Sequence, residues 1–420
     1  MTNYNFTDSI NRENTGAFKT NKAIVKGFLG LPYYEDSISM WVADMDFATA
    51  PEIIERLKQR ADKLIFGYTG ATKEYNDSII SWYKKRYDVD IAASSIVISN
   101  GTVLAIRNSI RAFTAPGDKI IIQSPVYFPF SSEIKSTGRE ILDNQLLKDK
   151  DNNYPIDFED FEKKCKEATM FIFCNPHNPT GDIWKKEDVE RLLKIAKEND
   201  VLVFSDEVHS DLIRKTSKFT SALALENNEN VVVATAINKT FNLAGLHGTN
   251  LIIKNKELRE KLSAFTGMVS ISPFTMEATI AAYSQSEAWL DELRDVLDEN
   301  FKFMEEFIKE KMPRVKFHTP EGTYLAWLDF SAYNMSDDEL VKRFATDAHV
   351  ILEGGSMFGK MAQGFIRMNV ACPKSTLKEA LERMYMLLEK GKTMKAPQNA
   401  LTFQVASSDC SCSCSSNDKC

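Results

Sequence analysis

The sequence lacks any excess of positive charge and any long apolar run. Its 420 residues contain 52 Lys and Arg against 59 Asp and Glu, a formal net charge of −7. A chain with this balance offers no basic surface for nucleic acid or an anionic membrane. No apolar stretch is long enough to cross a bilayer, and the polar first eight residues lack the apolar core of a signal peptide. We therefore expect a cytoplasmic protein with neither nucleic-acid nor membrane partners.

Histidine and cysteine are scarce in most of the chain. The five histidines do not show the spacing of a zinc enzyme, so no metal site is predicted in the body. Three body cysteines are expected to be buried, reduced thiols: Cys165, Cys174 and Cys372. Four others, in a polar tail, suit a soft metal, a redox or sulfur-accepting role, a modification or tether site, or no role at all. They are Cys410, Cys412, Cys414 and Cys420.

Strand and helix patterns alternate through the first two thirds of the chain. Such alternation is typical of an α/β fold with a mostly parallel sheet that helices cover. Amphipathic segments such as 186–199, with apolar residues at helical spacing, separate the strands. The apolar, β-branched runs that predict strands are 96–99, 119–123, 170–174, 201–204, 231–235 and 250–253.

A change of pattern near residue 285 predicts a second domain. A chain of this length is too long for one simple core, and a long amphipathic helix begins at about this point. Shorter strand and helix patterns follow it, as in a small α+β unit. The predicted organisation is an N-terminal arm or part of the small domain (1–45), a large domain (46–285), a small C-terminal domain (286–392) and a disordered Cys-rich tail (393–420).

Two ionisable residues follow predicted strands. Lys239 comes just after the strand at 231–235, and Asp206 comes just after the strand at 201–204. In open α/β sheets, ligands bind at the carboxyl ends of the strands. A desolvated lysine there can form a Schiff base with an aldehyde, although most lysines are solvated surface charges. A buried aspartate can hold a pyridine nitrogen in its protonated form, which turns the ring into an electron sink.

Other strand ends supply the remaining groups that such a ring needs. Asn178 and His209 can reach a phenolic oxygen on the ring, and Tyr127 can stack on its face. The turn Gly101-Thr102-Val103 between a strand and a helix can bind phosphate through backbone N–H groups, although a plain tight turn is an equal alternative. An aldehyde, a pyridine ring, a phenolic oxygen and a phosphate together describe pyridoxal 5′-phosphate.

Nine motifs occur in order between about residues 5 and 390. They are NRENTG at 11–16, WVADMDF at 41–47, FGYT at 66–69, PVYFPF at 125–130, NPHNPTG at 175–181, SDEVHSD at 205–211, KTFNLAG at 239–245, PEGTYL at 320–325 and FIRMNVA at 365–371. With these motifs the chain resembles the fold-type I pyridoxal-phosphate enzymes of the aminotransferase class I/II group. Within that group it is similar to the MalY/PatB cystathionine β-lyase (C–S lyase) branch.

The resemblance implies a fold and a set of residue roles. The fold would be the type I transferase fold, with a seven-stranded, mostly parallel sheet and a smaller α+β domain. Lys239 would be the catalytic base and the anchor of the cofactor. Tyr68 would be the second catalytic residue and would reach the phosphate of a neighbouring subunit's cofactor, so that two copies share their active sites in a homodimer. The other implied cofactor contacts are Asp206, His209, Asn178, Tyr127, Gly101, Thr102, Val103, Thr235 and His247, and the substrate contacts are Arg367, Asp44 and Tyr127.

The resemblance also implies an activity. The enzyme would cleave L-cysteine S-conjugates such as L-cystathionine to a thiol, pyruvate and ammonia. The alternatives are aminotransfer on the same scaffold and, as a minor option, a regulatory protein that binds a partner. Two residues depart from the common pattern: Asn238 stands where a serine is usual, and His247 stands where the wider group often has a phosphate-binding arginine. These changes predict either a weaker hold on the phosphate or a His247 ring that its partner keeps charged.

Overall fold

The computed structural model describes residues 4–394, and the four tail cysteines lie outside the described residues. The described part contains a seven-stranded sheet, a three-stranded sheet and a parallel pair of short strands. The strands are β1 (Ile38–Ser39), β2 (Ile96–Ser99), β3 (Lys119–Ile122), β4 (Glu140–Asp143), β5 (Met170–Cys174), β6 (Leu202–Asp206), β7 (Val231–Thr235), β8 (Thr249–Ile252), β9 (Leu325–Asp329), β10 (Val350–Ile351), β11 (Glu353–Gly354) and β12 (Phe365–Asn369).

The helices of the described residues begin at recognisable signals. Proline occupies the first turn at Pro51 and Pro273, where its missing N–H has no intrahelical partner to lose. The Thr72 side chain caps the next helix by accepting from Tyr75 N at 3.2 Å. The helices are α1 (Lys22–Ile24), α2 (Pro51–Ala61), α3 (Lys73–Tyr87), α4 (Thr102–Phe113), α5 (Pro129–Ser136), α6 (Phe158–Cys165), α7 (Lys186–Glu198), α8 (Ile237–Thr240), α9 (Lys256–Thr266), α10 (Pro273–Gln285), α11 (Glu287–Lys311), α12 (Asp337–Asp347) and α13 (Lys374–Lys390).

The large sheet has the strand order β2-β8-β7-β6-β5-β3-β4. The strands from β7 to β4 are mutually parallel, and β8 runs antiparallel to both of its neighbours, so the predicted mostly parallel seven-stranded sheet is confirmed. Within this sheet, β4 is the strand that the sequence patterns did not predict. It forms the sheet edge, and its residues Glu140–Asp143 include only two apolar side chains, both partly exposed. An edge strand without an apolar run gives no clear periodic signal.

Both faces of this sheet are buried under apolar side chains. Along β5, Phe171 and Phe173 belong to one hydrophobic cluster, while Met170 and Ile172 belong to another on the opposite face. Successive strand residues point to opposite faces, which explains why the central strands read as continuous apolar runs rather than as alternating patterns. The carboxyl ends of β5, β6 and β7 are therefore held rigidly at one edge of the sheet.

The long helix α11 runs between the two main hydrophobic clusters. Its first half contributes Trp289 and Leu293 to the cluster of the large sheet, and its second half contributes Phe301 and Ile308 to a separate cluster. That second cluster also contains residues of β9, β10, β12, α12 and α13, together with Val25 and other residues from the N-terminal 45. Because β1 pairs with β10, the N-terminal segment adds a strand beside the small C-terminal unit.

The structure also describes the cysteines of the body and the apolar character of its helices. Cys165, Cys174 and Cys372 are buried, unpaired thiols, as expected. Among residues 4–394, no helix is both long enough and apolar enough to span a membrane.

Candidate active site

A cavity of about 480 Å³ opens where the carboxyl ends of β5, β6 and β7 face the small-domain strands β11 and β12. This is the position at which open α/β sheets bind ligands. The cavity brings together ten of the residues that the sequence predicted to contact the cofactor or substrate. They are Gly101, Thr102, Val103, Tyr127, Asn178, Asp206, His209, Lys239, His247 and Arg367.

Lys239 lies on the short helix α8, four residues after the end of β7. Its Nζ donates a hydrogen bond to the Ala43 carbonyl at 2.7 Å. Burial lowers the pKa of Lys239 to about 8, and the nearby Arg367 cation acts in the same direction. The neutral amine is therefore far more abundant at ordinary pH than in an exposed lysine, and this is the form that a nucleophile or a general base requires.

Asp206 and His209 face the same cavity from the end of β6. Burial raises the pKa of Asp206 to about 6, and its Oδ1 accepts only a long hydrogen bond, 3.3 Å, from Val208 N. Burial also holds the pKa of His209 well below its usual range, with Lys239 and Arg367 adding to the effect. The His209 ring is thus neutral, and its Nδ1 has no hydrogen-bond partner among the described residues. The Asp206 carboxylate and the neutral His209 ring both line the cavity, where a ligand can contact them.

The N-terminus of α4 forms another wall. Gly101 precedes the helix with a φ of +110°, a conformation that a residue with a Cβ rarely adopts. The first N–H groups of a helix have no intrahelical acceptor, and they point outward beside the positive end of the helix dipole. Thr102 Oγ1 meets Thr249 Oγ1 at 2.9 Å, which ties this first turn to β8. The His247 ring lies beside Gly101, so an imidazole rather than a guanidinium borders this anion site.

Arg367 closes the cavity from β12. Its Nη1 donates to Asn178 Oδ1 at 2.9 Å, and its Nη2 donates to the Trp41 carbonyl at 3.3 Å and to the Glu353 carboxylate. The side chain is 3% exposed, and its Nε has no partner among the described residues. The guanidinium also lies over the Phe358 ring at 4.7 Å. A fixed, buried guanidinium with an unused N–H is suited to binding a carboxylate.

Three predicted residues lie outside this cavity. Tyr68 is fully exposed and borders an adjoining surface depression, which meets the cavity at Asn100 and His247. Thr235 is buried at the end of β7, where its side chain lies beside the Tyr83 and Tyr283 hydroxyls instead.

Asp44 is the third residue outside the cavity. Its Oδ2 accepts from Arg12 Nη1 at 2.8 Å, and its Oδ1 lies 3.8 Å from Lys19 Nζ. The carboxylate is thus paired with the N-terminal segment. It is the preceding residue, Ala43, whose carbonyl touches Lys239.

Comparison with known proteins places this geometry in a family. The family model described as aminotransferase class I and II matches residues 35–384. The chain belongs to this family. It is 42% identical over 356 residues to cystathionine beta-lyase PatB of Bacillus subtilis, a match that covers 83% of this chain and 92% of the relative.

Two solved structures of this aminotransferase class I and II fold support the match. Cystalysin from Treponema denticola, which contains a pyridoxal 5′-phosphate cofactor, superposes with a TM-score of 0.88 at 35% identity, covering 93% of this chain and 100% of that one. The pyridoxal-phosphate-bound C–S lyase from Staphylococcus hominis gives a TM-score of 0.86 at 34% identity, covering 92% and 98%. The type I fold that the motifs imply is confirmed.

The residues of the cavity fit the cofactor that these relatives bind. The amine of Lys239 suits an aldehyde, and Asp206 is a buried carboxylate without a cationic partner in contact, which a protonated ring nitrogen would supply. The start of α4 suits a phosphate, and the neutral ring of His209 lines the cavity, where it can meet the phenolic oxygen. The aldehyde, ring nitrogen, phosphate and phenolic oxygen of pyridoxal phosphate therefore each have a suitable residue or helix end in the cavity.

Sequence reasoning missed two parts of the site. One is Glu353, which lies directly opposite Arg367 on the neighbouring antiparallel strand and lines the cavity. A short strand of two residues gives no periodic signal, so nothing in the sequence placed this acid beside the arginine. The other is an aromatic wall formed by Phe28, Trp41 and Phe128, with ring centroids 5.8 and 6.1 Å from Phe28.

Proposed function

We propose that this protein is a pyridoxal-phosphate-dependent carbon–sulfur β-lyase that cleaves L-cysteine S-conjugates such as L-cystathionine. The products are a thiol, pyruvate and ammonia. One observation carries the proposal: a lysine of lowered pKa and an unpaired carboxylate, both near the ends of parallel strands, share a cavity with a buried arginine of β12. The names of the relatives, cystathionine beta-lyase and C–S lyase, support this reaction over aminotransfer.

Different residues of the cavity would hold different chemical groups of the cofactor. When bound, the cofactor withdraws electrons from the α-carbon of the substrate amino acid. Asp206 keeps the ring nitrogen protonated by ion pairing, and this contact also satisfies a carboxylate that is otherwise buried alone. Asn178 and His209 lie where they can donate hydrogen bonds to the ring oxygen, and the start of α4 holds the phosphate. Tyr127 covers one face of the ring.

Lys239 is the residue that moves the proton. Its amine would hold the cofactor through the aldehyde, and it would be free to act as a base once the amino group of the substrate takes that place. The freed Nζ, with a pKa near 8, removes the α-proton, and the thiolate leaves with the electron pair of the C–S bond. The Ala43 carbonyl, 2.7 Å away, orients the amine. Hydrolysis of the remaining product would give pyruvate and ammonia, and Lys239 would again hold the cofactor.

Arg367 and the aromatic wall position the substrate. Arg367 binds the α-carboxylate, and its contacts with Asn178 and Trp41 fix the plane of the guanidinium. The aromatic wall of Phe28, Trp41 and Phe128 offers an apolar surface to the S-substituent.

The same residues would serve an aminotransferase, which differs in where the proton goes. In that reaction Lys239 would return the proton to a carbon of the cofactor, and a keto acid would leave without breaking the C–S bond. Analysis of the products therefore distinguishes the two reactions. A regulatory role remains a third hypothesis, and a cytoplasmic location stays a prediction.

We also propose that the active unit is a homodimer with shared active sites. Tyr68 is fully exposed, and it lies among other exposed apolar side chains that a monomer would leave in water. The surface depression beside Tyr68 joins the cavity at Asn100 and His247, so a second copy can add side chains next to the phosphate wall. The exposed apolar side chains of the two chain segments that meet at Thr69 and Ile271 are Leu64, Ile65, Phe66, Tyr68, Phe265 and Met268.

Shared sites can be tested by mixing two inactive variants. Y68A and K239A, produced together, should yield heterodimers with one complete site, and these should show activity that neither variant has alone. If the mixture is as inactive as its components while both remain dimeric, the sharing of sites is wrong.

Turnover of L-cystathionine tests the proposed reaction. The purified protein with pyridoxal phosphate should show a visible absorption band and release equal amounts of pyruvate and thiol. K239A should lose both the band and the products, since the anchor and the base are one group. K256A, which removes an exposed lysine of α9 that pairs with Glu260, is the matched control and should behave as wild type. Keto acid without thiol would establish aminotransfer instead.

A further inference from the structure

Glu353 and Arg367 form a buried cross-strand pair inside the substrate cavity. They are register partners on β11 and β12, so their side chains lie on the same face of the sheet. Each is 3% exposed, and Arg367 Nη2 donates to the Glu353 carboxylate. An acid is therefore already bound to the guanidinium that is proposed to receive the substrate carboxylate. The mechanism above assigns this acid no role.

The donors of Arg367 leave little room for a second carboxylate. A guanidinium binds a carboxylate bidentately through either the Nε/Nη2 edge or the Nη1/Nη2 edge, and both edges include Nη2. The two N–H groups of Nη2 already point to the Trp41 carbonyl and to Glu353. A substrate that uses either edge therefore brings its carboxylate against the Glu353 carboxylate.

We propose that Glu353 is a positioning and specificity-determining residue, which orients Arg367 in the free enzyme and takes up a proton when a carboxylate ligand binds there. Two ionised carboxylates cannot share one buried guanidinium without a large repulsion, and a proton on Glu353 removes it. The protonated acid can then donate a hydrogen bond to the ligand. The inference rests on the proposed function, because it takes Arg367 as the receptor of the α-carboxylate.

The groups around Glu353 support this direction. Burial raises the pKa of its carboxyl, while Arg367 and then Lys239 oppose that rise. Tyr127 also faces it across the cavity, and burial keeps that phenol neutral with a pKa of about 12. On the other side, Asp337 of α12 packs against Gly354 and accepts hydrogen bonds from Ser356 N and Oγ. A ligand carboxylate bound to Arg367 offsets the positive charge of the guanidinium. It therefore weakens the main electrostatic interaction that keeps Glu353 ionised.

The test uses the holoenzyme and 3-(methylthio)propanoate, a carboxylate with an S-alkyl chain and no amino group. Its Kd should rise with pH by up to about tenfold per unit, because each binding event takes up a proton. Titration of the Lys239 nitrogen changes the visible band of the cofactor. Its contribution to the proton uptake can therefore be measured separately and subtracted. Calorimetry in two buffers of different ionisation enthalpy counts the protons directly.

The E353Q variant keeps an acceptor for Arg367 but cannot titrate. The pH dependence of its Kd should lack the contribution of the one proton assigned to Glu353. At pH 8.5 the ligand should bind to E353Q about tenfold more tightly than to wild type. A merely structural role predicts weaker binding at every pH, which would overturn the proposal. D337N, which alters the same loop without touching Arg367, is the matched control and should keep the wild-type slope.

Two further results separate the possible failures. If E353Q does not fold, the absence of proton uptake by wild type in calorimetry is enough to reject the proposal. If thiol and pyruvate are released normally but E353Q keeps the wild-type slope, only this inference is wrong. If no C–S bond is cleaved and the slope still depends on Glu353, the proposed reaction is wrong and the proton linkage is upheld.

Discussion

Two buried residues of β6 lie on the same face of the sheet and have opposite consequences. Phe204 is fully buried in an apolar cluster with Ile120, Ile172 and Val232. Asp206, two residues later, is almost as buried, yet its carboxylate lacks a contacting cation and its pKa is raised to about 6. Burial stabilises the fold at the middle of the strand and works against it at the end. The comparison teaches that the strand end is built for a ligand.

The substitution D206N should have the largest effect, and its effects on activity and stability should have opposite signs. Asparagine cannot hold the ring nitrogen protonated, so lyase activity should fall by roughly 10²- to 10⁴-fold. Initial rates of thiol release at saturating cofactor measure this change. A loss smaller than about tenfold would contradict the role proposed for Asp206.

The stability of the cofactor-free protein should change the other way. The pKa of Asp206 is raised in the folded state, so wild type binds more protons than the unfolded chain between about pH 4 and pH 6, and its stability falls as pH rises through that window. The uncharged amide of D206N has no such dependence, and above pH 6 the variant should be more stable by at most about 3 kcal/mol. Urea unfolding at pH 5 and pH 8 tests the sign, and an equal difference between the two proteins at both pH values would reject it.

The substitution F204A should damage the fold and leave the chemistry intact. Removing a fully buried phenyl group from the cluster should lower the free energy of unfolding by about 3–5 kcal/mol. The Kd for pyridoxal phosphate, measured well below the melting temperature, should change little, because the ring of Phe204 does not line the cavity. A selective loss of cofactor affinity at unchanged stability would remove the distinction between the two residues.

The substitution T235V should have the smallest effect. Thr235 ends the neighbouring strand β7, as Asp206 ends β6, but its side chain lies beside Tyr83 and Tyr283 rather than in the cavity. The Kd for pyridoxal phosphate should therefore stay within about twofold of wild type, a difference below ~0.4 kcal/mol. A tenfold weaker affinity would show that Thr235 contacts the cofactor after all, as the family resemblance implies.

Much of the fold could be predicted because the buried strands are long and apolar. The runs at 170–174 and 231–235 became strands with those bounds, since a strand covered on both faces needs a continuous apolar sequence. The edge strand β4 and the two-residue strand β11 were not predicted. Both obtain their order from pairing with a neighbour, and a few residues with mixed polarity carry no period of their own.

Most of the site could be predicted for a related reason. Lys239, Asp206 and Asn178 follow predicted strands, and the ends of parallel strands meet at one edge whatever the loops between them do. Glu353 could not be predicted in this way. It lies beside Arg367 through the antiparallel pairing of β11 with β12 in the three-stranded sheet, and both residues line the cavity.

The sequence by itself determined the kind of chemistry: a lysine, an aspartate and an arginine at particular points of an α/β pattern, with motifs that match one family of enzymes. Tertiary structure alone decided the states of these groups. Burial, rather than sequence neighbours, brings the pKa of Lys239 to about 8 and that of Asp206 to about 6. Tertiary structure also decided that Arg367 already binds an acid, because the pairing of β11 with β12 places Glu353 directly opposite it.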